Sequence, residues 1–143
     1  MDALDALYEY LTSKTEVTSL VGAQIYPDYA KQGTSRPYII YYQQNQDRNP
    51  ALIGDTGSLE DTIFIEAWAD TRSSARAIRE ALRDVLNGFQ RQTMGTSPGI
   101  YISFCDLQNM LSDYEKPEDN SGTPTFVERS VYRLGYKESL TSA

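Results

Sequence analysis

Leu4, Leu7, Tyr8 and Leu11 recur at helical spacing and predict a short amphipathic helix near the start of the chain. Asp2, Asp5 and Glu9 lie toward its beginning and Lys14 just past its end, which suits the helix dipole. Thr15 to Val21 reads as a second, shorter turn stopped by Gly22, and "QIYP" follows as a brief extended segment closed by Pro27. The stretch Arg36–Gln44, "RPYIIYYQQ", is dense in aromatic and β-branched residues and predicts a strand. Leu59–Ala69 alternates, with Ile63, Ile65 and Ala67 on one face and Thr62, Phe64, Glu66 and Trp68 on the other. At Asp70-Thr71, both candidate N-caps, the period changes from 2 to 3.6. Ala75, Ile78, Leu82, Val85, Leu86 and Phe89 then form the apolar stripe of the main helix, with Asn87-Gly88 as its stop signal. Gly99–Leu107 and Phe126–Tyr136 predict two further strands.

Two long polar stretches separate the predicted strands. "NQDRNPALIGDTG" (45–57) reads as an extended hairpin loop carrying Asp47 and Arg48, and 108–125 reads as a second loop with Asp113, Glu115, Glu118 and Asp119 against one lysine. Loops of that length are commonly functional or mobile. The order helix, strand, strand, helix, strand, strand predicts an α+β domain: a mostly antiparallel sheet of about four strands, one main helix packed on a face, and a short N-terminal helix. Nothing divides the chain, so residues 1–143 are expected to form a single domain with 138–143 as a flexible tail.

Composition narrows the function. At 143 residues with 40% apolar and 23% charged residues, the chain reads as an ordinary soluble globular domain. No apolar run approaches the ~18 residues of a membrane span, and no basic-then-apolar leader follows Met1. These features point to a protein made and used in a cytoplasm, or in something assembled there. The single cysteine, Cys105, excludes an internal disulfide and reads as a small buried hydrophobe.

The absence of histidine removes the usual Ser-His-Asp and Cys-His sites and His-containing zinc centres. No phosphate-cradling glycine motif occurs. Glu60 and Asp61 are strand neighbours that point to opposite faces, and Glu118 with Asp119 reads as a solvated acidic loop. No catalytic, cofactor or metal residues are assigned, and an enzyme is not expected.

The main helix carries four of the nine arginines, Arg72, Arg76, Arg79 and Arg83, within ~60° of one another at the edge of the apolar stripe. Against a net charge of −7, residues 71–88 carry +2 and the remainder −9. An overall acidic chain without a base-reading motif argues against nucleic-acid binding. The arginines are either a solvated flank or one half of a contact with an acidic neighbour. Four like charges on one ridge repel unless something anionic lies nearby.

The order of "SLVGAQIYP", "RPYIIYYQ", "IFIEAWADTRSSARAIREALRDVLNGF" and "ERSVYRLGY" resembles the tail-completion (tail-terminator) family of long-tailed bacteriophages, from Leu4 to about Tyr136. The loop at 109–123 is larger and more acidic than the family pattern suggests. The resemblance implies a non-enzymatic, ring-forming structural subunit of the virion. Such a subunit forms a hexamer that caps the head-proximal end of the tail tube, ends tube polymerisation and joins the tail to the head connector. Its partners would be copies of itself, the tail tube protein and a head-completion protein. DNA would pass through the lumen without specific binding, and no cofactor is implied. On that reading Arg72, Arg76, Arg79, Arg83, Asp47, Arg48, Asp113, Glu115, Glu118 and Asp119 are candidate subunit or partner contacts. The competing reading is a soluble, non-enzymatic ligand-binding or regulatory α+β module, with Trp68 and tyrosines lining a pocket.

Overall fold

The computed structural model describes residues 2–31, 33–50, 55–96, 99–115 and 124–137. The predicted tail, 138–143, lies outside the described residues. Among the described residues three helices, α1 (Ala3–Thr12), α2 (Thr15–Val21) and α3 (Arg72–Leu86), accompany six strands. The strands are β1 (Ile25–Pro27), β2 (Tyr38–Pro50), β3 (Asp55–Ala69), β4 (Gln92–Met94), β5 (Ile100–Glu115) and β6 (Thr125–Lys137), in the order β1-β2-β3-β6-β5-β4.

The α+β class holds, but the sheet has six strands rather than four and is mixed, because β1 runs parallel to β2. The two additions, β1 and β4, are three-residue edge strands, too short to show a period of two. The helices likewise number three, with α2 packed against α3.

Both predicted loops are strand over most of their described residues. β2 continues to Pro50 and β3 starts at Asp55, while β5 continues to Glu115 and β6 starts at Thr125. The β5 extension escapes a hydrophobic reading because residues 108–115 are exposed on both faces. The backbone ladder sets Asp113 opposite Val127 and, in the other extension, Asp47 opposite Glu60.

α1 begins with a capping box in which the Asp5 amide donates to the Asp2 side chain at 2.8 Å. Its buried face is Ala3, Ala6, Leu7 and Leu11, whereas Tyr8 is exposed and stacks beside Tyr41. α2 ends at Gly22, whose φ of 63° disfavours any residue with a Cβ. α3 is capped by Thr71, which accepts from the Ser74 amide at 3.1 Å, and it buries Ala75, Ile78, Leu82 and Leu86. Each of the three larger aliphatic side chains contributes about 1.5–3 kcal/mol of burial. They meet the helix-facing positions Ile63, Ile65 and Ala67 of β3 and Tyr132 and Leu134 of β6 in one continuous core. Cys105 is buried there too, and burial pushes its thiol up to about 12. Phe104 lies across Gly135 on the neighbouring strand, so that a Cβ at Gly135 would overlap the ring.

Candidate functional site

α3 crosses the sheet with its arginine edge above β6, and there the ridge meets a counter-charge. Glu128 sits on the helix-facing side of β6, opposite Ala67, with a fully buried side chain. Arg72 Nη1 lies 3.1 Å and Arg76 Nε 3.6 Å from its Oε1, and Arg79 Nη1 lies 3.2 Å from its Oε2. Ser112 of β5 donates from Oγ to Oε2 at 2.6 Å. Residues one turn apart on α3 thus converge on a single carboxylate, because i, i+4 and i+7 share a helix face. Arg72 also lies over the Phe126 ring and donates to the Asp113 carbonyl at 3.3 Å. On the outer flank, Glu80 accepts from Arg79 at 3.0 Å and stands 3.7 Å from Arg83.

The four arginines face two carboxylates, Glu80 and Glu128, so the cluster keeps a charge of +2. The surplus is unevenly placed. Arg79 is 17% and Arg72 29% exposed, while Arg83 and Arg76 are 49% and 58% exposed. The inner pair is committed to the fold, and the outer pair presents the free face of the ridge.

Glu128 was not identified as a counter-charge from the sequence, although it stands in the quoted "ERSVYRLGY". The signal that would have found it is its parity. Glu128 shares a strand face with Tyr132 and Leu134, and a buried acid among such neighbours must either be neutralised or find hydrogen-bonding or cationic partners. Asp113 and Glu115 lie on β5 as exposed strand residues, not loop residues. The Asp113 carboxylate accepts from the Tyr114 amide at 2.8 Å. Asp47 and Arg48 fall on β2, paired with Glu60 and Leu59, with their side chains outside the described residues. Glu118 and Asp119 lie outside the described residues altogether.

The other face of the sheet carries a second buried acid. Glu66 accepts from Tyr42 Oη at 2.8 Å, Trp68 Nε1 at 2.9 Å and Arg129 Nε at 2.9 Å. Burial, then the bond to Glu66, pushes the Tyr42 hydroxyl up to about 12. Trp68 stacks on Tyr38 with ring centroids 5.8 Å apart. Trp68 therefore belongs to an ordered aromatic patch on the sheet. A tyrosine-lined groove of about 600 Å³ exists elsewhere, between α1 and β1, bordered by Tyr8, Tyr26, Tyr41, Asp5 and Glu9. No helix among the described residues is long and apolar enough to cross a membrane.

Comparison with known proteins gives the arrangement a context. The family model described as tail completion protein gp17 matches residues 5–92. Among solved structures, a chain of the virion of a native gene transfer agent particle superposes with a TM-score of 0.70 at 15% identity. That superposition covers 95% of each chain. No curated protein sequence matches.

Proposed function

Since the chain belongs to the tail completion protein gp17 family and is thus a structural phage tail protein, we propose that it forms a hexameric ring on the head-proximal end of the tail tube. There it ends tube polymerisation and presents its opposite face to the head connector. The subunit acts by recognition, not chemistry. The observation that carries this reading is the division of charge: a ridge with surplus +2, half exposed at Arg76 and Arg83, on a chain that is otherwise at −9. A cyclic ring needs two different, complementary patches on every subunit, and a cationic ridge on an anionic body supplies them. The chain's acids also disfavour retention of DNA phosphates in a lumen.

The test is negative-stain microscopy of the protein mixed with tail tubes, comparing wild type with the double variant Arg76→Glu, Arg83→Glu. These two are the most exposed of the four: a carboxylate at Arg79 would face Glu128 from a nearly buried position, whereas one at Arg76, which reaches Glu128 only at 3.6 Å, can turn to solvent. The variant is expected to stay folded with a modestly lowered Tm, yet leave most tube ends bare. Wild-type tubes that stay bare across a range of concentrations would refute the capping role, and a variant that caps normally would return the ridge to simple solvation.

A further inference from the structure

Building on the ring reading, we propose that the outer edge of β5 pairs, antiparallel, with the outer edge of β2 in a second copy of this chain. β4 covers only Ile100–Ile102 of β5, and β1 covers only Ile39–Tyr41 of β2. Among the described residues, β5 from Ser103 and β2 from Tyr42 onward therefore have no strand on their outer sides. The end of α3 occupies the first part of the β5 edge. The Gly88 amide donates to the Cys105 carbonyl at 3.1 Å, and the Leu107 amide donates to Asn87 Oδ1 at 3.2 Å. The edge available for pairing runs from Gln108 to Glu115, all of it exposed.

This segment has the features of a docking strand. Met110, Leu111 and Tyr114 are large apolar or aromatic side chains left exposed on it, and consecutive residues point to both faces. The amides of Met110 and Tyr114 donate to the side chains of the residues before them, Asn109 and Asp113, at 2.9 and 2.8 Å. Those bonds are local and a ladder would replace them. Proteins ordinarily protect such an edge with lysine, proline or a covering segment, and residues 108–115 contain neither lysine nor proline.

The occupant is set by the sheet itself. It ends in a second open edge on its opposite side, as a head-to-tail contact requires. β2 and β6 run one way and β3 and β5 the other. Rotating a copy about an axis along the strands preserves these directions, so its β2 meets β5 antiparallel. Charge permits the approach: Asp113 and Glu115 are acidic, while residues 43–46 carry no charge that would repel them, although Gln46 is itself held by Asp61 and Tyr136. Backbone pairing supplies the affinity, and alternate side chains set the register.

Two measurements on the full chain assembled on tail tubes test this. The first is disulfide trapping with Gln44→Cys combined with Asn109→Cys, or with Leu111→Cys for a shifted register; the native Cys105 is buried. The double variant should give a ladder of covalent oligomers, and an equal mixture of the two single variants should stop at dimers. The second is hydrogen exchange, in which the outward-facing amides of the segment, those of Met110, Ser112 and Tyr114, should slow by at least about tenfold on ring formation. Rings visible on tubes with no trapped pair and no added protection would overturn the edge contact while leaving the ring intact. Protection that comes from the tube protein, without cross-links between copies, would assign the edge to the tube and also overturn it. Failure to form rings at all would remove both readings.

Discussion

Replacing Glu128 by glutamine removes one charge from the molecule and leaves three guanidinium groups around a site with no exposed surface. Breaking a fully buried ion pair costs about 3–5 kcal/mol, because the remaining charge loses its partner without regaining water. Here the full figure does not apply. Arg76 is half in solvent, Arg79 keeps Glu80, and Arg72 keeps Phe126 and the Asp113 carbonyl. The glutamine carbonyl also still accepts one hydrogen bond. A cost of about 2–3 kcal/mol follows, equivalent to roughly 8–12 °C in Tm for a domain of this size. Calorimetry of Glu128→Gln beside Glu80→Gln makes the comparison internal. Glu80 is exposed, and its loss should cost no more than about 0.5 kcal/mol. Raising the salt should shrink the small effect and leave the large one, since only exposed pairs are well screened. If Glu128→Gln melts within about 1 °C of wild type, Glu128 does not anchor the ridge and the assignment of Arg72 and Arg79 to the fold is wrong.

Trp68→Ala should cost about 2 kcal/mol through loss of the Tyr38 stack and of the indole bond to Glu66, and chemical denaturation measures it. An unchanged midpoint would mean that the aromatic patch is ordered without Trp68. Asp61 is buried with Tyr136 Oη 2.9 Å and Gln46 Nε2 3.0 Å away, and burial raises its carboxyl above the ordinary range. An acid with a raised folded pKa contributes stability below its unfolded value and loses it as pH rises through the folded one. Asp61→Asn should therefore raise Tm at pH 7, with the gain vanishing below the ordinary carboxylate range; a gain that persists in acid would point to another cause. Gly135→Ala should destabilise by displacing the Phe104 ring, and Phe104→Ala in the same chain should relieve part of that penalty in a double-mutant cycle.

The sequence was most legible where one face of an element is buried. The Thr71 cap, the stripe from Ala75 to Leu86 and the alternation at Ile63, Ile65 and Ala67 all read directly from period, and all occur in the structure. The strand extension beyond Leu107 was illegible because residues 108–115 are exposed on both faces, and both it and the extension beyond Gln44 are defined by backbone pairing with a distant strand. The arginine cluster was half legible. Its four members could be placed on one edge by helical spacing, but their partner lies 49 residues from Arg79, brought over by a strand pairing that no local pattern encodes. Within the subunit, Asp113 and Glu115 do not neutralise the ridge: Ser112 reaches Glu128 on the helix-facing side of β5, so Asp113 and Glu115 point to the other face of the sheet, and Glu128 occupies the buried position.

The capping role is tested most directly by polymerising tail tube subunits with and without a slight molar excess of this protein and measuring tube lengths and ends by electron microscopy. A terminator shortens the tubes with increasing dose and leaves one ring at one end of each. A length distribution that does not change with dose, with rings absent or scattered along the tube walls, would contradict it.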